Sequence, residues 1–363
     1  MRRLAQLADP YIALLLGTVL LAAFLPASGS MATGLGWSTK AAVGLIFFLY
    51  GARLSTREAF EGLRHWRLQV LVLFCTFAAF PLIGLATRAL VPYVLTPGLQ
   101  AGLLFLCLVP STVQSSIAFT SVARGNVPAA ICAGTYSSLI GMVATPLLAA
   151  WFIGGHVALG AEGLVGIVCQ LFAPFVAGQL LRRWIGGFIT RHRRILGFVD
   201  RGSVLLVVYT AFSQGMIEGI WGRITPMRLV ALLGVEAALL ALMLMLTWVG
   251  AGRLGFTRAD RLVTVFAGSN KSLAAGLPMA SVLFGAQASL AVLPLMLFHQ
   301  MQLVVCAFLA RRWARTAPEA PVTDGTTRTV AAGGPPATAR GVRRANRSAS
   351  ARGADTLQRD IQH

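Results

Sequence analysis

Lys271 stands out first on chemical grounds. The chain carries 29 Arg and 2 Lys, so arginine is used wherever a surface cation suffices. Yet one of the two lysines lies within Leu262–Ala310, a stretch of 49 residues with no other formal charge. An ammonium is costly to bury in so apolar a setting, and such residues carry function by default. Lysine also differs from arginine in that burial can make its proton removable. Three kinds of chemistry are open to it: tying two segments together, binding and releasing a proton, or meeting an anion.

Its surroundings read Val265-Phe266-Ala267-Gly268-Ser269-Asn270-Lys271-Ser272, a polar patch in an apolar run. A second patch reads Val109-Pro110-Ser111-Thr112-Val113-Gln114-Ser115-Ser116. Pro and Gly weaken a helix at such points, and Ser, Thr, Asn and Gln can satisfy the backbone groups set free. Gln114, Ser115, Ser116, Ser269 and Asn270 are therefore candidates to bind an ion or a small molecule beside Lys271. Glu236 is the other charge inside an apolar run, eight residues from Arg228. It could pair with Lys271, relay a proton or face a water-filled cavity. His299 is twelve residues from Arg311 and is either a satisfied core histidine or a cavity-lining one. Gln170 and Gln214 are further candidates to face a cleft.

Few enzyme signatures accompany these groups. No His-Glu-x-x-His run, no pair of acids within one apolar segment and no Gly-rich phosphate loop occurs. The five cysteines (Cys75, Cys107, Cys132, Cys169, Cys306) lie in apolar segments without metal or redox spacing and read as small core residues. Neither a resident cofactor nor a metal site is expected.

The elements that must position these residues are membrane spans. Of 363 residues 56% are apolar and only 12% charged, half what a soluble chain normally carries, and the mean hydropathy is +0.73. Ten spans are predicted, at 11–26, 37–52, 68–91, 98–123, 127–153, 162–184, 202–221, 228–250, 260–284 and 287–310, each near the roughly 20 residues a bilayer requires. The apolar run from Tyr11 to Pro26 reads as the first span, not a cleavable leader. Ser55–Arg67 and Arg191–Arg201 mix arginine with aromatic and aliphatic residues and read as helices on the membrane surface.

With the N-terminus inside, 26 of the 31 Lys and Arg fall in inside segments and four outside, Lys271 being the last. The formal charge of +19 thus reflects topology more than any specific affinity for nucleic acid, with both termini cytoplasmic in a cell (inner) membrane. Residues 311–363 form a separate, disordered basic tail, read as solvated.

Ser115 is nine residues from Arg124 and Lys271 ten from Arg261, roughly 14–15 Å by helical rise, about half the hydrocarbon core. Both patches therefore sit near the midplane, in spans four and nine. Five spans separate them, an odd number, so the second half is inverted relative to the first. Interrupted helices at matching positions of inverted halves point to the central site of a transporter.

These residues resemble the bile acid:sodium symporter family, and its bacterial symporter-like branch in particular, over residues 10–310. The resemblance rests on Gly44-Leu45-Ile46-Phe47-Phe48-Leu49-Tyr50-Gly51, Pro110–Ser116 with Ala123-Arg124-Gly125-Asn126, Gly268–Leu273 and Phe298-His299-Gln300, in this order. It implies an all-α membrane protein of ten transmembrane helices in two inverted five-helix repeats, with broken, crossing helices four and nine. The transporter domain would span 1–310. Its core would be the spans within 68–153 and 228–310, its panel those within 11–52 and 162–221.

The resemblance also implies residue roles. Ser115-Ser116 match a Ser-Asn pair that ligates sodium, Thr76 a glutamine at a second sodium, and His299-Gln300 a His-Asn pair near the substrate cavity. Three departures stand out. Phe266 replaces a glutamate, Asn270-Lys271 replaces Gln-Asn, and Ala130 and Gly134 stand where two hydroxyl ligands belong. So few oxygens make a poor site for a hard cation. Lys271 is accordingly expected to take a sodium ion's place.

The expected function is secondary active transport of a small organic anion by alternating access. Substrate contacts fall to His299, Gln300, Gln114, Ser116 and Asn270. Coupling falls to Lys271, Ser115, Ser116, Thr76, Ser269 and Glu236, with Na+ or H+ as the coupling ion. The alternatives are a non-transporting membrane sensor or regulatory scaffold on the same fold, an intramembrane enzyme and a channel. Oligomeric state is not legible.

Overall fold

A computed structural model of the protein describes residues 10–53, 65–154, 161–217, 219, 222 and 225–316. Regular structure among them is entirely helical. In chain order the helices are α1 (Pro10–Phe24), α2 (Gly29–Arg53), α3 (Trp66–Leu90), α4 (Pro97–Leu108), α5 (Val113–Val122), α6 (Val127–Ile153), α7 (Ala161–Arg191), α8 (Arg193–Ile217), α9 (Pro226–Arg253), α10 (Arg258–Ser269), α11 (Leu273–Phe284) and α12 (Ala288–Arg315). Six of them, α2, α3, α6, α8, α9 and α12, are long and apolar enough to cross a membrane, and α4 with α5 makes a seventh if that bent pair is one span. Large exposed side chains such as Phe24, Trp37, Trp151 and Phe308 leave apolar surface that lipid covers and water does not.

Both predicted breaks are present. Val109 is extended, as the residue before Pro110 must be, and α4 and α5 meet at 63°. Asn270 is extended too and separates α10 from α11. The short helices on either side are capped individually. Thr96 accepts from Leu99 N at the start of α4, Thr257 from Asp260 N at α10 and Ser272 from Ala275 N at α11. Asn126 caps α6 by accepting from Ala129 N and donates its amide to Asp260 Oδ1 at 2.8 Å, fastening the start of α6 to the start of α10.

α3 carries an irregularity of its own. Between Cys75 and Ala79 it widens into a π-turn, in which Phe80 N donates to the oxygen of Cys75, five residues back. The next residue is Pro81, which has no N–H.

α4 packs on α12, α9 on α10, and α5 on α6, while α10 also reaches α3, α5 and α6. α2 runs along α7, and α8 lies against α1 and α2. The main apolar core, from Phe80 and Phe105 to Leu277 and Phe298, surrounds the place where the two breaks meet.

Some expected boundaries change. Arg191–Arg201 is not a separate surface helix: α7 continues through Arg191 and α8 begins at Arg193, so these arginines belong to the ends of long helices. α2 starts at Gly29, eight residues before the expected span, and α12 runs through Arg315, past 310. Of the other expected surface helix, residues 55–64 lie outside the described residues, as do residues 317–363 of the tail.

Candidate functional site

The ammonium of Lys271 is completely buried and donates to three backbone carbonyls: Cys107 O at 2.7 Å, Val109 O at 2.9 Å and Thr76 O at 3.0 Å. The ring of Phe80 closes a further side, its centroid 4.1 Å from Nζ. An ammonium has three N–H donors, and three carbonyls take them. A neutral amine has only two N–H groups, so this cage fits the cation.

Each carbonyl is available for a reason written in the chain. The oxygen of Thr76 would normally accept from Phe80 N, but that N–H bonds to Cys75 O in the π-turn, and Pro81 has none to offer. The oxygen of Cys107 would accept from Ser111 N, which instead donates to Ser137 Oγ at 2.8 Å. Val109 lies in the break itself, past the end of α4. The C-terminal end of α4 also carries the negative end of its dipole, which favours a cation there. Charge-assisted hydrogen bonds of about 1.5–3 kcal/mol each are of the size needed to offset an effective burial cost of several kcal/mol for the ion.

The backbone of Lys271 is held separately. Gln302 accepts from Lys271 N through Oε1 at 2.8 Å and donates to Lys271 O through Nε2 at 2.8 Å. His299 Nδ1 lies 3.2 Å from that same oxygen and 2.8 Å from Gln302 Nε2. The two breaks then satisfy each other. Ser272 N donates to Pro110 O at 2.8 Å, Ser111 Oγ to Ala267 O at 2.5 Å and Ser116 Oγ to Phe266 O at 3.0 Å. Thr145 on α6 donates to Leu108 O at 2.8 Å. Helix ends that would be orphaned in a membrane are thus closed by side chains of other helices.

The sequence candidates separate into groups. Lys271, Ser116, Ser269 and Asn270 lie fully buried at or beside the crossing. Ser269 Oγ donates to Val265 O within its own helix, and Asn270 Oδ1 accepts from Cys306 Sγ at 3.3 Å while its amide nitrogen has no partner among the described residues. Thr76 reaches Lys271 through its carbonyl, not its hydroxyl, which donates to Val72 O. Ser115 is half-buried and bonded to Thr112, Gln114 is exposed, and His299 and Gln300 are half-buried. Gln170 and Gln214 are both exposed.

Glu236 does not pair with Lys271. It is fully buried on α9, and neither carboxylate oxygen has a hydrogen-bond partner among the described residues.

The three departures from the sodium-ligating pattern have structural counterparts. Phe266 is fully buried and packs against Phe119 and Trp313, with both ring centroids 5.7 Å away. Ala130 is buried in a small apolar cluster. At Gly134 a Cβ would stand 3.0 Å from Val113 Cα, so a hydroxyl-bearing side chain enters only if Val113 gives way by a few tenths of an ångström. No group of three or more His, Cys, Asp or Glu placed to hold a metal occurs among the described residues. Cys75, Cys107, Cys132 and Cys306 are buried free thiols.

Sequence reasoning missed Gln302, Ser137, Thr145 and Phe80. Gln302 carried a faint signal, since it is polar, lies in an apolar run and is three residues from His299 on one helix face.

The SBF-like CPA transporter family matches residues 9–315. "Uncharacterized protein PA2026" of Pseudomonas aeruginosa is 51% identical over 318 residues, 87% of this chain and 96% of that protein. "Putative symporter YfeH" of Escherichia coli K12 is 44% identical over 315 residues, 86% and 95% of the two chains. "Sodium/bile acid cotransporter 7" of Rattus norvegicus is 30% identical over 281 residues, 74% and 80%.

Proposed function

This chain belongs to the SBF-like CPA transporter family, and from that membership we propose that it is a multi-pass secondary transporter that moves a small organic anion by alternating access without binding sodium. The observation that carries the reading is the carbonyl cage around Lys271. A positive charge is already fixed at the crossing of the broken helices, so an alkali ion would have to displace an ammonium with all three donors engaged. The oxygens for a second ion are also missing, since Phe266, Ala130 and Gly134 offer none.

The fold in this reading is two inverted five-helix repeats. α3–α6 and α9–α12 form the core, with α4/α5 and α10/α11 as its broken helices, and α1, α2, α7 and α8 form the panel. The substrate lies between the two, where Gln114, Ser115, His299 and Gln300 retain exposed surface. Ser116 and Asn270 expose nothing here and meet substrate only if the breaks part. The ends of the broken helices supply orienting dipoles, and Lys271 holds the crossing as a sodium ion otherwise would.

Coupling then falls to a proton. Glu236 is buried with both oxygens unpartnered among the described residues, the setting of a carboxyl group that carries a proton across the cycle. Uptake of a labelled organic-anion library into proteoliposomes, with a sodium or a proton gradient imposed, tests the proposal. Accumulation under the proton gradient alone supports it. Accumulation that needs sodium, or none under either gradient, counts against it.

A further inference from the structure

A second site lies far along the chain from the Lys271 crossing, where α2 meets α7. The two backbones touch there. A Cβ on Gly51 would stand 2.0 Å from Phe175 O, and one on Gly178 would stand 2.1 Å from Phe48 O, so only glycine fits at either position. One turn beyond this contact a cavity of about 590 Å³ opens, lined by Arg53, Gln179, Arg182, Arg183, Ile189 and Thr190 among others. That volume is within the ordinary range for small-molecule sites.

Charge in the cavity is unbalanced. Arg53 is committed: its guanidinium pairs with Asp200 at 2.9 Å and donates to Leu196 O at 3.0 Å. Arg182 and Arg183 have no acidic group within ion-pair distance among the described residues. Arg183 rests on the ring of Trp184, 3.9 Å from its centroid, which leaves its N–H groups directed elsewhere. Gln179 lines the cavity as well, but its side-chain oxygen is closed off from it. On the same helix Leu180, Trp184 and Phe188 are exposed apolar residues, 67%, 64% and 59% accessible, beside the arginines.

We propose that this cavity binds the phosphodiester headgroup of an anionic phospholipid. The phosphodiester sits between the Arg182 and Arg183 guanidiniums, whose forked donors suit phosphate oxygens. The acyl chains run from the arginines toward the membrane interior past Leu180, while Trp184 and Phe188 lie on the headgroup side, where aromatic rings suit the membrane interface. Basic pockets between membrane helices bind acidic headgroups in this manner. A bound lipid would bridge α7 to α2 at their glycine contact.

Native mass spectrometry of the detergent-purified full chain tests this, titrating phosphatidylglycerol, phosphatidylcholine and inorganic phosphate in parallel. Phosphatidylglycerol is expected to bind at least about tenfold more tightly than phosphatidylcholine, since one charge-assisted hydrogen bond exceeds that difference. Inorganic phosphate in tenfold excess is expected to displace less than half of it. The Arg182→Gln/Arg183→Gln variant is expected to bind both lipids equally. The Arg311→Gln/Arg312→Gln variant, which removes a basic pair elsewhere, is expected to keep the preference. Equal binding of the two lipids by the wild type overturns the proposal, as does full displacement by phosphate or equal losses in the two double-arginine variants. Because the lipid comparison is made on the wild type, the test stands even where a variant fails to fold.

Discussion

Lys271 Nζ meets the backbone oxygen of Thr76 at 3.0 Å, and that oxygen is available because Pro81 has no N–H to give it. The π-turn at Cys75–Ala79 and the lysine in the other half of the chain are therefore two parts of one device. Removing the ammonium while keeping the apolar stem separates packing from hydrogen bonding. Lys271→Met strands the carbonyls of Thr76, Cys107 and Val109, each at about 1–3 kcal/mol, for a loss of at least about 3 kcal/mol. The unfolding midpoint in detergent reads this out, and a midpoint unchanged from wild type would show the cage to be incidental.

Pro81→Ala returns an N–H to α3. The new donor competes with Lys271 for the oxygen of Thr76, replacing a charge-assisted bond of about 1.5–3 kcal/mol with a local one. Uptake into proteoliposomes should fall about tenfold or more, while the helix content measured by circular dichroism stays at the wild-type level.

Gln302 holds both backbone groups of Lys271. Gln302→Leu leaves a buried N–H and a buried carbonyl short of a partner, at a cost of about 2–4 kcal/mol. Gln300→Leu, on the neighbouring half-buried position, should shift the unfolding midpoint far less. A comparison of the two midpoints checks the assignment.

Gly134→Ser restores a hydroxyl where sodium-ligating relatives are expected to have one, yet Val113 is in its way. The variant should lose about 1–3 kcal/mol through overpacking and gain no dependence on sodium. Unfolding curves recorded in sodium and in choline would then overlay.

Among the described residues Glu236 has no partner to hold its charge. If it carries the coupling proton, uptake rises as the outside is made more acidic, because the protonated form enters the cycle. Glu236→Gln, fixed in the neutral state, should give a flat pH profile. A profile that keeps the wild-type slope would assign the proton to another group.

Much of this site was legible in the chain. Lys271 announced itself by residue type in a run almost without charge, and Pro110 and Gly268 marked the breaks at similar depth. The partners were harder to read because they are backbone atoms. Thr76 and Cys107 lie 195 and 164 residues from Lys271, and each contributes a carbonyl that its side chain does not signal. Thr76 was expected for its hydroxyl, which turns back into its own helix. A π-turn leaves no periodicity to detect in five residues. Helix rotation is likewise invisible in a uniformly apolar segment, so whether Glu236 faced Lys271 could not be read from spacing. At Arg193 and Arg315 arginine extends a helix past its apolar run, while α2 starts eight residues early, at Gly29, through small and weakly polar residues that carry little apolar signal.

In the proposed function the ammonium of Lys271 stands in for a sodium ion. The most direct measurement is the initial uptake rate of the transported anion by wild-type proteoliposomes across a sodium series, with choline holding ionic strength constant. A rate that stays flat from zero to saturating sodium is the expected result. A steep, saturable rise with sodium would contradict it.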